Sequence, residues 1–519
     1  MLESCAALPV SPGTCTARKL ESLSILWMYA EMNNLLARMP RKCWAYLALS
    51  IWAGFSFMLL HKTVYGIEES AARSLLLVWS VADAVISPVV TMGVPDFRTI
   101  FLAPIGLLWT GSVLAAKMAT MLILAVGIWA VHRWRQHHGD DEGALLASGL
   151  LLLAPLTQSQ IDTISVAAYL LFAFSLTAWS DHLYRNSPRA FGGMYFAQMF
   201  LSLVSVSFHP VGLALPLALF WGWYKNPLDV KQQKYFYTGI GSAVFIALIL
   251  TSGWEHVNWF TNPIRGLSTL FTSEMVDNGL GAFRWITGGS LFAILLLVVW
   301  KQARAMWADL FGRTLLVALA IGLFVGDEIF GFVAVLTCLY WGIPLLLRKP
   351  EGNSSFAQQR GLVLALTFIL STTFMVFDKF RYQDVVAKTL SARDELIKTL
   401  AEDSGLFFED EPNTPKKMIR IASQWPGLTM LACRCDALPL PPEAKDGDAL
   451  LAMLKTINFL IFDPHDLANR PLTRNLSTID STKVETVTVQ AGGAIFKIKT
   501  TPVIPAPQAP AEALPAAEN

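Results

Sequence analysis

The stretch that decides the fold reads Tyr65-Gly66-Ile67-Glu68-Glu69-Ser70-Ala71-Ala72-Arg73, and it follows directly on an apolar run over residues 43–60. Glu68, Glu69 and Arg73 fall on one side of a helical repeat, with Ala72, Leu75, Leu76 and Trp79 on the other. That division predicts a helix lying in the plane of a membrane surface and carrying two carboxylates. A second amphipathic piece follows Pro95-Asp96-Phe97-Arg98 and runs from Thr99 through Pro104 to Trp109. It is too broken to cross a bilayer comfortably. Residue types alone leave two readings of Glu68 and Glu69: the polar face of an interfacial helix, or a pair held for chemistry.

The rest of the chain sets this stretch in a membrane. Of 519 residues, 54% are hydrophobic, and the mean hydropathy is +0.47. A soluble chain has no place for that much apolar surface. Apolar runs over 43–60, 114–131, 143–156, 164–179, 191–208, 211–223, 235–252, 285–300, 314–325, 329–347 and 361–377 predict about 11 transmembrane helices. Charge placement supports the count. Connections on one side carry Arg41 and Lys42, Arg133 and Arg135, Arg185 and Arg189, Lys225 and Lys231, Lys301 and Arg304, and Arg348 and Lys349. The short hairpins on the other side, at 158–160, 209–210 and 327–328, hold neither Lys nor Arg. By the positive-inside rule the basic side is cytoplasmic, which places the N-terminus inside and the C-terminal end outside.

The predicted organisation is therefore a cytoplasmic segment over 1–42, a transmembrane domain over 43–380 with its first outer loop at 61–111, an extracytoplasmic α/β domain over 381–500, and a disordered Pro- and Ala-rich tail over 501–519. In the α/β domain, 384–402 reads as a helix, 428–433 and 459–462 as short buried strands, and 484–489 with 494–498 as a hairpin. The fold class is mainly α, a polytopic membrane protein with interfacial helices in the first outer loop and a small C-terminal α/β domain.

Other features exclude functions. The net charge of +1 offers no bulk basic surface for nucleic acid. The six cysteines contain no CxxC pair, which argues against a zinc or thioredoxin-type site. The first residues mix charged and apolar side chains and do not form a secretory signal. His132, His137 and His138 stand near Asp140, Asp141 and Glu142, and read as a solvated loop rather than a metal site. No DxD motif falls in an outer loop, so no divalent metal and no cofactor is expected.

The order of features resembles the glycosyltransferase superfamily C (GT-C), in particular its branch of aminoarabinose transferases and protein O-mannosyltransferases. In that family an acidic pair follows the first span within an interfacial helix, and a Pro-containing second interfacial helix leads into the second span. Glu68-Glu69 and the segment from Gly93-Val94-Pro95-Asp96 to Trp109 match that order. Asp162 falls at the opening of a span after a short outer turn, and Ser207-Phe208-His209-Pro210 stands where the family often has a basic residue and Gly-Pro. One departure is the acid itself: the family's first acid is usually Asp, with an aromatic soon after, whereas here Glu68-Glu69 is followed by Ser-Ala-Ala.

The resemblance implies transfer of a sugar from a polyprenyl-phosphate carrier to an acceptor hydroxyl of a glycan, lipid or protein, with inversion, at the outer face of a bacterial inner membrane. Glu68 is then the candidate base, and Glu69 is the reserve or orients a sugar hydroxyl. Arg265 and Arg284, backed by His209, are candidates for the donor phosphate, although an Arg near a span end often only reaches for headgroups. Asp162 could bind a sugar hydroxyl or cap a helix. Arg73 and Asp96 complete the candidate donor site, although Asp96 could equally pair with Arg98. Two other classes compete: a lipid or glycan transporter, and a GT-C-like scaffold without catalysis. Transporters usually carry repeats and ionisable groups near the midplane. No repeat is evident here, and the acids cluster at one face.

Overall fold

The computed structural model describes residues 50–54, 60, 64, 66–82, 98–109, 111–139, 141–153, 155–186, 191–225, 230–250, 267, 281–325, 328–344, 392–403, 419–433, 435–490 and 493–499. The chain divides into two compact units, Met1–Phe55 and Ser56–Asn519. Of the first unit, the described residues 50–54 are helical. The expected spans over 43–60 and 361–377, the N-terminal segment over 1–42 and the tail over 501–519 lie wholly or largely outside the described residues.

The second unit begins with the two helices expected in the first loop. Helix α1 is Glu69–Ala82 and α2 is Arg98–Leu108. The apolar stripe of α1 is fully inside: Ala71, Ala72, Leu75, Leu76 and Trp79 are buried. At the end of α2, Leu107, Leu108 and Trp109 are exposed, as expected of residues facing lipid rather than water. Gly106 lets α2 lie against Val78 of α1.

A helical body follows. Helix α3, Val113–His137, is N-capped by Ser112, whose Oγ accepts from the Ala115 amide at 3.2 Å. The run expected as one span over 143–156 is instead two helices, α4 (Asp141–Leu153) and α5 (Pro155–Asp162). Pro155, which cannot continue a helical hydrogen-bond ladder, opens the second. Then come α6 (Val166–Asn186), α7 (Phe191–Phe208), α8 (Ala214–Lys225), α9 (Val230–Leu250), α10 (Gly281–Ala308), α11 (Leu310–Val325) and α12 (Glu328–Thr337), which continues into a π-helical turn at Cys338–Gly342. Among the described residues, two helical stretches, Val113–His137 and Gly289–Ala308, are long and apolar enough to cross a bilayer, and seven shorter apolar helices accompany them.

Several polar side chains inside this body bond to their own helices. Ser175, Thr177, Thr314 and Thr337 each donate to the carbonyl one turn back. That leaves their helices apolar outwardly. Close approaches occur where glycine removes a side chain. A Cβ at Gly127 would sit 3.1 Å from the Phe172 backbone of α6, and one at Gly222 would sit 2.5 Å from the Arg313 guanidinium.

The C-terminal part carries a five-stranded sheet in the order β2-β1-β3-β5-β4. The strands are β1 Arg420–Ser423, β2 Asp436–Pro439, β3 Phe459–Phe462, β4 Val484–Gln490 and β5 Gly493–Ile498. Strand β3 reads Phe-Leu-Ile-Phe and is buried at all four positions, so it sits at the sheet centre, parallel to β1 and antiparallel to β5. The expected hairpin of β4 and β5 is present, with a bulge between Thr486 and Thr488. Helix α13, Ala392–Asp403, overlaps the range read as helical and ends one residue beyond it.

One expectation is overturned. Residues 428–433 are not a strand: Pro426–Cys433 is a helix, α14, with all eight residues buried. A short apolar run fits a buried strand and a buried helix equally well by periodicity. Pro426 at the first helical position favours the helix, and Ser423 Oγ, which accepts from the Trp425 amide at 2.9 Å and bonds Thr429 Oγ1 at 2.7 Å, braces its start. Cys433 and Cys435 beside it are free thiols. The hydrogen bond to Cys433 first, and burial second, hold Cys435 well above the usual thiol range.

Gly212 tests the packing of the bundle. A Cβ there would run into the Ser205 backbone carbonyl. Gly212→Ala is expected to destabilise the protein by roughly 3 kcal/mol, read as a lowered thermal unfolding midpoint in detergent, while Gly149→Ala, where a Cβ meets open space, leaves the midpoint unchanged.

Candidate functional site

The acidic pair divides at the start of α1. Glu69 opens the helix and Glu68 precedes it, so the two carboxylates face different partners rather than sharing one side as the helical repeat predicts. The Glu68 amide donates to the Thr163 carbonyl at 3.2 Å. Its side chain accepts from Arg98 Nη1 at 3.1 Å. Arg98 is fully buried, at 0% exposure, while Glu68 is 36% exposed. Arg98 therefore pairs with Glu68; Asp96 lies outside the described residues. The same Nη1 also donates to the Ile164 carbonyl at 2.8 Å.

The turn that meets both residues is unusual. Helix α5 ends in a Schellman arrangement: the Ile164 amide donates to Ile161 O at 3.2 Å and the Ser165 amide to Gln160 O at 3.0 Å. The left-handed position of that motif, normally glycine, is occupied by Ile164 at φ +56. A β-branched residue there is strained. The strained peptide is the one whose carbonyl receives Arg98. Ser165 Oγ then accepts from the Ala167 amide at 3.2 Å and starts α6.

Asp162 closes α5 rather than opening the next span, and α6 begins at Val166. Its carboxylate lies 3.9 Å from Lys117 Nζ in α3, with both side chains buried. One turn along α2 from Arg98, the Phe101 ring packs on Tyr169, Phe172 and Phe208, with ring centroids 5.7–6.3 Å apart. His209 follows Phe208 and is 7% exposed. Its Nδ1 accepts from the Val211 amide at 3.2 Å and caps the 3-10 turn Pro210–Leu213, which leaves the proton on Nε2 in the neutral ring.

Glu69 belongs to a separate contact. Its two oxygens accept from the Gly427 and Leu428 amides of α14 at 2.7 and 2.9 Å, and Arg73 Nε donates to it at 2.9 Å. Glu69 and Arg73 thus join the first loop to the C-terminal sheet unit. Arg265 lies outside the described residues, as does the side chain of Arg284, which falls in the first turn of α10.

The histidines singled out near 132–138 are dispersed by the fold. His132 is near Ser148, His138 lies 3.5 Å from Asp309, and His137 stacks on His182 at 4.5 Å. Among the described residues no cluster of three or more metal-ligating side chains occurs.

Crystal structures of ArnT from Cupriavidus metallidurans, bound to undecaprenyl phosphate and in the apo state, are similar to this chain with a TM-score of 0.52, at 10% and 12% identity. Each similarity covers 88% of this chain and 98% of that chain. The chain shares the fold of these two structures. An oligosaccharyltransferase from Archaeoglobus fulgidus, solved with Zn and sulfate, is similar at a TM-score of 0.46 and 11% identity, over 80% of this chain and 68% of its own. No family model and no curated protein matches the sequence.

On this fold, the described candidates form one constellation at the α5–α6 turn: Glu68 with Arg98, and Asp162 with Lys117. Sequence reasoning missed the two cations as members. A signal existed for Lys117, which interrupts the otherwise apolar run over 114–131; an ionisable residue within a span is a functional candidate by default. Lys117→Met is expected to cost about 3 kcal/mol by stranding the Asp162 charge, and Lys117→Met with Asp162→Leu to recover most of it. Thermal unfolding of the two variants in detergent checks the difference.

Proposed function

We propose that this chain is a polytopic membrane glycosyltransferase, moving a sugar from a polyprenyl-phosphate donor to an acceptor hydroxyl at the extracytoplasmic face with inversion. The observation that carries the reading is the Glu68–Arg98 pair: a part-exposed carboxylate held by a fully buried cation. The fold likeness to ArnT bound to undecaprenyl phosphate supports the donor class. In this reading the chain crosses the bilayer about eleven times, with the first outer loop at 61–111 and the C-terminal unit outside.

The chemistry follows from the side chains. The acceptor hydroxyl approaches Glu68, which takes its proton as the oxygen attacks the anomeric carbon. The bond from that carbon to the carrier's phosphate oxygen breaks on the opposite face, which inverts the centre. The electron pair leaves with the lipid phosphate, whose charge needs cations nearby. Arg265, Arg284 and His209 are assigned to that phosphate, with Asp162 oriented toward a sugar hydroxyl. Arg98 fixes the direction of the Glu68 carboxylate, so that a lone pair faces the acceptor rather than the bundle. No metal or cofactor enters the step.

In a transfer assay on membranes supplied with a polyprenyl-phosphate sugar pool, Glu68→Gln is expected to lose at least about a hundredfold in kcat at normal expression. Arg98→Lys keeps the charge but loses the planar fork, and falls by about tenfold. Activity of Glu68→Gln equal to the wild type would remove the base assignment.

A further inference from the structure

The residues on either side of Glu68 are held by the part of the chain farthest from it in sequence. Two positions before it, the Gly66 amide donates to Asp394 Oδ2 of α13 at 3.1 Å. Gly66 sits at φ +84, a conformation open to glycine. Asp394 is itself buried and paired with Arg393 at 3.2 Å. One position after Glu68, the Glu69 carboxylate receives the Gly427 and Leu428 amides at the first turn of α14.

That second contact is a helix cap supplied from a distant segment. The first amides of a helix have no partner within it, and the positive end of the helix dipole lies there. Pro426 has no amide to satisfy, so the next two amides are the ones that need an acceptor, and Glu69 serves both with a charge-assisted pair. Gly427 has no side chain for a reason of space. A Cβ there would lie 2.8 Å from Arg73 Cγ and 2.9 Å from Glu69 Oε1. Between the two ties, Ile67 is fully buried, and Glu68 itself is fastened to the bundle through Thr163 O and Arg98.

We infer that Glu69 is a positioning residue for Glu68, and that the C-terminal unit, by seating α14 on Glu69 and Asp394 on Gly66, completes the transferase site rather than forming a separate binding module. This rests on the reading of Glu68 as the base. The bundle grips Glu68 from one side and the C-terminal unit grips the residues flanking it from the other, so its carboxylate has a single direction only while both hold. A carboxylate displaced by an ångström from the acceptor costs a hundredfold in rate, even when the moving part is remote.

The test uses the full-length chain in membranes and two readouts, transfer kinetics and amide hydrogen exchange. Glu69→Gln and Gly427→Ala are expected to lower kcat by about tenfold or more, with the KM for the polyprenyl-phosphate sugar within about threefold, because donor contacts lie elsewhere. Exchange over residues 66–72 quickens in both variants, while exchange in α3 stays as in the wild type. Arg73→Gln, which removes the part-exposed guanidinium that donates to Glu69, is the variant that preserves the fold and shows the same changes to a smaller degree. Unchanged exchange over 66–72 overturns the inference. So does quickened exchange with undiminished kcat in a preparation where Glu68→Gln is inactive. If the wild type shows no transfer but the exchange responds, the mechanical tie stands and the transferase reading is what fails.

Discussion

A guanidinium with no solvent exposure must be given a counter-charge and acceptors by the fold, and Arg98 is in that position. An unpaired charge in an apolar interior costs several kcal/mol after relaxation. The chain meets the need with a carboxylate from the residue before α1 and a backbone carbonyl from the turn after α5. That carbonyl points correctly because Ile164 accepts a left-handed backbone. The strain, about 1–2 kcal/mol for a non-glycine residue, is of the same size as a hydrogen bond to a charged group, about 1.5–3 kcal/mol. One buried charge thereby fixes α1, α2 and the α5–α6 turn relative to one another.

In the surrounding body several serine and threonine side chains bond within their own helices, and glycine allows α3 to meet α6 nearly backbone to backbone. The second buried pair, Lys117 with Asp162, lies on the same turn. Two ion pairs thus meet at one junction of α2, α3, α5 and α6, with Phe101 and its aromatic neighbours as an apolar wall beside it.

The two neighbouring glutamates show how little adjacency in sequence says about roles. A single backbone step turns one carboxylate toward the helical body and the other toward the C-terminal sheet. Glu68 ends on Arg98, and Glu69 ends on the amides of α14 more than three hundred residues away. Helix α14 in turn needs Pro426 and Gly427 to bring its first turn that close. The acidic pair is thus a joint between two parts of the chain, with one half left part-exposed.

Much of this was legible beforehand, because it depends on local periodicity. The buried stripe Ala72, Leu75, Leu76, Trp79 and the amphipathic piece over 99–109 pointed to the two helices of the first loop, the second of which runs unbroken through Pro104. The alternation of valine and threonine over 484–489 pointed to the hairpin, and the run Phe459–Phe462 to a short buried strand. Local pattern failed where two structures share it: 428–433 is apolar without period, and only its cap decides for a helix. Residue pattern was enough to give a chain of mostly apolar helix with acids gathered in the first loop, since hydrophobic burial acts residue by residue. Which acid meets Arg98, which caps a remote helix, and that Ile164 bends to receive a cation were decided by tertiary structure alone, because charge pairing depends on distances of a few ångströms between segments that sequence leaves unconnected.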